Sequence, residues 1–152
     1  MQVKRIKQVV IYEDVDLCIT GITLLSYNEF RQAHHYIPQT GHKLWWLRDV
    51  VSEYPNLIQC GDYNAHDVPN NKSIGIRPAL KIPNVYQCHL KSGDKFDFAG
   101  HVWTVVPGKL ALCDDFIGYG CFRKDWRAID SNEYEASDVK KYIENWFNQQ
   151  IS

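Results

Sequence analysis

The chain has 152 residues and a net charge of −1, from 17 basic and 18 acidic side chains, and it is rich in aromatics, with five Trp, nine Tyr and six Phe. That length fits a single domain over residues 1–152, able to bury ~70% of its unfolded surface without a disulfide or metal staple. The charges are scattered, with no basic block beyond Lys4-Arg5-Ile6-Lys7, which argues against nucleic acid as the main partner, since that needs a field of cations to neutralise phosphates.

Each large ring can bury ~150–250 Å², worth roughly 4–6 kcal/mol gross, so five tryptophans predict a well-packed core, an adhesive surface, or both. Cysteines at 18, 60, 88, 113 and 121 are odd in number, widely spaced and free of any CxxC pair, which reads as reduced, mostly buried thiols. There is no apolar leader-like segment at the N-terminus and no run of eighteen apolar residues. The expectation is a soluble cytoplasmic protein, of a bacterium or a phage-infected bacterial cell, with no membrane partner.

Residues 3–12 read as one strand, basic at first and then β-branched, and 17–20 as a short second one after a turn. Ser26, with Glu29 three positions on, is a capping box that predicts a helix over 27–36, closed by Pro38 and Gly41. Two stiff apolar runs follow, at 43–48 and 74–80, each carrying one arginine. They are expected side by side, presenting to solvent what separates them. That segment, 49–73, is rich in Asn, Asp, Pro and Tyr and reads as a long loop with its own small turns and a short strand at 57–60.

Beyond residue 80 the chain alternates, with strands expected at 85–91, 95–98, 101–106 and 109–113. Gly93-Asp94, Ala99-Gly100 and Pro107-Gly108 separate them, as in antiparallel hairpins. Residues 116–123 stay ambiguous between strand and loop. Ser137 is a good N-cap for a last helix, with Asp138 where the helix dipole favours an anion. Val139, Tyr142, Ile143, Trp146 and Phe147 keep the spacing of one buried helical face.

Trp45-Trp46-Leu47-Arg48 and Gly75-Ile76-Arg77-Pro78-Ala79-Leu80 resemble two strands of a family of uncharacterised bacterial and phage domains. Leu24-Leu25-Ser26 with Glu29 looks like that family's helix lead-in, 96–106 like its opening hairpin, and 137–147 like its Ser-x-hydrophobic-Arg helix. In the family the hairpin and that helix come first. The reversed order here leaves two readings open, a circular permutation or a fusion of half-units completed by a second chain, which implies a homodimer. The family is similar in pattern to the C-type-lectin and formylglycine-generating-enzyme superfold. The resemblance thus implies an α+β, C-type-lectin-like fold: a small twisted, mostly antiparallel sheet, two helices and a long loop.

Trp45 and Trp46 are adjacent, so in a strand they point to opposite faces, either both structural or one an exposed platform. Arg48 and Arg77 suit pairing with loop carboxylates such as Asp49, Asp62 or Asp67 and stacking on Trp, or else holding an anionic ligand. Asp62, Asn64 and Asp67 offer oxygens to a cation, but the Glu-Pro-Asn and Trp-Asn-Asp runs of calcium-dependent lectins are missing, so no metal is expected. His34, His35 and His42, with His66, are likewise not read as a metal site, since neighbouring helical side chains diverge by about 100°. Cys60 with His66, or Cys121 with His101, has the residue types of a thiol nucleophile without any local activating feature.

The expectation is therefore a non-enzymatic, cofactor-free module that binds a protein, or alternatively a glycan, through the loop. Its contact residues are Trp45, Trp46, Arg48 and Arg77 at the flanks and Tyr54, Asp62, Tyr63, Asn64, His66 and Asp67 on the loop. Two alternatives stand beside it: a phage- or mobile-element-encoded inhibitor of a host defence protein, and a virion or tail component.

Overall fold

A computed structural model describes residues 3–6, 9–12, 19–41, 43–61, 65–83, 85, 89–125 and 133–151. In chain order the elements are β1 (Val3–Ile6), β2 (Val9–Tyr12), β3 (Gly21–Thr23), α1 (Tyr27–Ala33), β4 (Trp46–Val51), β5 (Tyr54–Cys60), β6 (His66–Asp67) and β7 (Gly75–Ile76). Then come β8 (Ala79–Lys81), β9 (Lys95–Phe98), β10 (His101–Val106), β11 (Leu110–Cys113), β12 (Gly118–Tyr119) and α2 (Asp138–Ile151), the last preceded by a 3-10 turn at Tyr134–Ala136. The fold is α+β, with two helices and mostly antiparallel sheets.

The main sheet has the order β1-β2-β9-β10-β11-β8-β3, and only the β2–β9 pair in it is parallel. Its centre is the β9–β10–β11 meander. Phe98 pairs with His101 across Ala99-Gly100, whose positive φ values of 54° and 81° are those of a type I′ turn, the turn that matches strand twist. Alternation along β10 and β11 then splits the interior into two cores. Trp103, Val105, Ala111 and Cys113 face Val139, Ile143 and Phe147 of α2. Val106, Leu110 and Leu112 share the other core with Phe30 and Ala33 of α1. With both faces covered, residues 103–106 and 110–113 are all buried, as in any sheet between two layers.

Local sequence accounts for both helix starts. Ser26 Oγ accepts from the Glu29 N–H at 3.0 Å, and Glu29 Oε1 accepts from the Ser26 N–H at 2.9 Å, closing the expected capping box. The helix stops at Ala33, short of residue 36, where the Tyr36 N–H bonds the Ala33 carbonyl in a closing turn. Ser137 Oγ accepts from the Lys140 N–H at 3.1 Å and so caps α2. Tyr142 departs from the expected buried face: it is 43% exposed, and its hydroxyl lies where a side chain on Gly118 would project.

Elsewhere the expected elements need correction. In place of one strand over 3–12 there are two antiparallel strands, at 3–6 and 9–12, pairing Val3 with Tyr12 and Ile6 with Val9. The short strand expected at 17–20 lies instead at Gly21–Thr23, and residues 17 and 18 fall outside those described. The strand expected at 85–91 is replaced at its described residues by a turn, the Leu90 N–H bonding the Val85 carbonyl; residues 86–88 lie outside the description. The segment between the two signature runs is no loose loop, because β4, β5 and β6 make an antiparallel three-stranded sheet.

The two signature runs do lie side by side. Trp45 and Gly75 form a parallel bridge, and the Gly75 N–H bonds the Leu44 carbonyl at 2.9 Å. β8 pairs with β3 from the first half of the chain and with β11 from the second, so the main sheet joins both halves within one chain.

Candidate functional site

Trp45 and Trp46 point to opposite faces, as adjacent strand residues must, and each enters a different core. They are 1% and 0% exposed. Trp46 donates its indole N–H to the Gly120 carbonyl at 2.8 Å, and Trp45 meets Phe30 edge-to-face at 5.5 Å. Arg77 is equally enclosed, at 1% exposure. Its guanidinium lies 4.8 Å above the Trp45 ring and donates to the carbonyls of Cys113 (2.6 Å), Pro38 (3.2 Å) and Asp114 (3.2 Å). Burial pulls its pKa down to about 10, against the opposing field of Asp114, Cys113 and Asp115. The stacking matches expectation. Among the described residues it pairs with no loop carboxylate, because its donors go to the backbone carbonyls of Pro38, Cys113 and Asp114. All three residues are sealed from a macromolecular partner, which corrects their place among the expected contact residues.

Arg48 does a different job near the surface. It donates from Nη1 to Glu29 Oε1 at 2.6 Å and to the Leu24 carbonyl at 2.8 Å, tying β4 to the start of α1 rather than to Asp67. Asp49 adds a second acceptor there, taking the Tyr27 N–H at 3.2 Å. Burial pushes the Glu29 carboxyl up, but the Ser26 N–H and the Arg48 guanidinium outweigh it and hold the group below its usual range. At Asp49 burial wins over the Tyr27 N–H and Arg48, and the carboxyl sits above its usual range. Behind this clamp opens a cleft of about 650 Å³. Its charges largely answer one another, Lys140 contacting Glu144 at 2.9 Å and Glu135 at 3.5 Å.

The reachable part of the segment is the outer rim of the small sheet. Ile58 and Cys60 turn inward to the core, while Leu57 and Gln59, which alternate with them, stay half-buried. Tyr54, at the end of the β4–β5 hairpin, is 57% exposed. His66 is exposed on the edge strand β6, and Val68 just after it is 44% exposed. Asp67 is half-buried and engaged locally, accepting from the Val68 N–H at 2.7 Å and from Asn71 at 3.1 Å, which makes it a turn former. Asp62, Tyr63 and Asn64 lie outside the described residues, as does His42.

Neither combination of thiol and histidine weighed from the sequence forms a pair among the described residues. Cys60 sits in the core, with burial and the field of Asp67 pushing its thiol up to about 12, whereas His66 faces solvent. Cys121 donates to the Asn70 carbonyl at 3.3 Å. His101 instead meets Asp115, whose Oδ1 lies 2.7 Å from Nδ1, and the Cys113 thiol donates to the same oxygen at 3.2 Å. No local motif marks this trio in the sequence, but the hairpin register carries it: Trp103 pairs with Cys113, which sets residue 101 across from 115. No family model matches the chain, and no curated protein or solved structure matches it either.

Proposed function

We propose that the protein is a non-enzymatic recognition module that binds a protein partner through the outer rim of the β4–β5–β6 sheet, on a C-type-lectin-like plan. One observation carries the reading: Tyr54 stands 57% exposed at the end of a hairpin whose other side is fixed in the core. Large amphipathic rings on rigid supports are the side chains that dominate protein interfaces, because little conformational entropy is lost when they are covered. His66 and Val68, on and beside the edge strand, extend the same rim. The non-enzymatic part is supported by Cys60, whose buried thiol is held protonated, the reverse of what a nucleophile requires.

The test compares the full chain with a Tyr54→Ala/His66→Ala/Val68→Ser variant, each immobilised and exposed to bacterial extract. The substitutions sit at exposed positions and are expected to shift unfolding free energy by no more than ~0.5 kcal/mol each. A protein retained in stoichiometric amount by the parent and lost by the equally stable variant is the expected result. Equal retention by both would remove the rim from the account.

A further inference from the structure

We infer that His101, Cys113 and Asp115 form a binding site for a single divalent metal ion of the zinc type, supported from the core by Arg77. The three residues come from the start of β10 and the end of β11 and just beyond it. The β10–β11 register pairs Trp103 with Cys113, and the Asp114 N–H bonds the Val102 carbonyl at 2.8 Å, so residue 115 follows opposite 101. Alternation then puts 101, 113 and 115 on one face of the hairpin. One donor atom from each lies within 4.8 Å of the others.

The chemistry of the set is selective. A thiolate and a carboxylate together offset the double charge of the ion, and a neutral imidazole completes three donors. Sulfur with imidazole favours zinc, or cobalt in its place, over calcium and magnesium, which take mainly oxygen ligands. Asp115 Oδ1 now lies 2.7 Å from the His101 nitrogen and 3.2 Å from the Cys113 sulfur. Around a tetrahedral zinc, with bonds of ~2.0–2.3 Å, donors stand roughly 3.3–3.7 Å apart, so the carboxylate has to retreat by less than ~1 Å. The donors now spread over as much as 4.8 Å, so the His101 ring has to swing toward the Cys113 sulfur by about 1 Å as well. It has room to do so, since the Asp115 side chain is 68% exposed. The ion takes the place of the protons that now bridge these atoms, and they leave to solvent.

The surroundings hold the donors in position. Cys113 is fully buried, and its carbonyl is fixed by Arg77 Nε at 2.6 Å. The His101 ring packs edge-on to Trp146 at 6.1 Å. The exposed Asp115 side leaves the fourth position open to water or to a group brought by a partner.

The test is a titration of the reduced full chain with Co²⁺, followed by displacement with Zn²⁺. One equivalent should give a thiolate-to-cobalt charge-transfer band and tetrahedral ligand-field bands, both removed by Zn²⁺. His101→Ala and Asp115→Ala, made near the surface, should each weaken cobalt affinity roughly 100-fold or more, while Cys121→Ser leaves it unchanged. Cys113→Ser should abolish the charge-transfer band; should that buried variant fail to fold, the two surface variants decide the question alone. No band at millimolar Co²⁺, or a band indifferent to His101→Ala and Asp115→Ala, would overturn the assignment.

Discussion

The two signature arginines sit in opposite circumstances. Arg77 is enclosed, stacked on Trp45 and bonded to three carbonyls, while Arg48 is about a third exposed and makes an ion pair with Glu29. The same contrast runs through the first signature run and the segment that follows it. Trp45, Trp46 and Gly61 lie inside, whereas Tyr54, His66 and Val68 lie outside. The residues that stand out as a pattern in the sequence are those that fold the protein, and the residues a partner can reach are plain ones on the intervening hairpin. A motif of aromatic and basic side chains therefore marks packing here, and the proposed recognition surface lies beside it.

The largest effect that would sharpen this contrast is expected from the arginines themselves. Arg77→Ala leaves three carbonyl acceptors facing a cavity, and should cost about 3–5 kcal/mol in denaturant unfolding. Arg48→Ala, at a solvent-screened position, should cost only ~1 kcal/mol. Similar losses from the two would break the comparison. Next comes Gly61, where any Cβ would overlap the Trp45 indole. Gly61→Ala should cost roughly 2–3 kcal/mol, and adding Trp45→Leu should cost less than the sum of the two single changes. Strict additivity in a double-mutant cycle would show that the two do not touch.

A smaller effect follows from Glu29. Its carboxyl is held below the ordinary 4.5 in the folded chain, so its stabilising contribution is full above that pH and is lost as pH falls through the folded value. Glu29→Gln should therefore cost ~1 kcal/mol at neutral pH, and its gap to the parent should close in acid. Asp49, held above its usual range, protonates earlier and acts in the opposite sense, which is why the variant is compared with the parent at each pH. A gap that stays constant down to acid pH would mean that the clamp does not depend on the Glu29 charge.

Signals that live within a few residues were legible in the sequence. The Ser26–Glu29 capping box, the Ala99-Gly100 turn and the α2 periodicity each depend on local backbone geometry, and each appears in the fold. Segment 49–73 reads as a loop because Pro55 and Asn56 look like strand breakers, yet β5 runs straight through them. Its pairing with β4 is irregular, with register shifts on either side of Val50 that leave no clean alternation to read. The place of Arg77 is hidden for a different reason: its acceptors come from residues 38, 113 and 114, which only the tertiary fold brings together. The His101–Cys113–Asp115 trio was within reach, since it follows from the register of a hairpin already expected at 101–113.

Hydrogen exchange of the backbone amides reads the inside and the outside of the central segment in one experiment. The Gly61 N–H bonds the Trp45 carbonyl at 2.7 Å and the Gly75 N–H bonds the Leu44 carbonyl at 2.9 Å, so both amides should exchange only through global unfolding. Those of Ser52 and Glu53, in the exposed turn of the hairpin, should exchange orders of magnitude faster. Comparable rates at all four positions would contradict a rim carried on a locked interior.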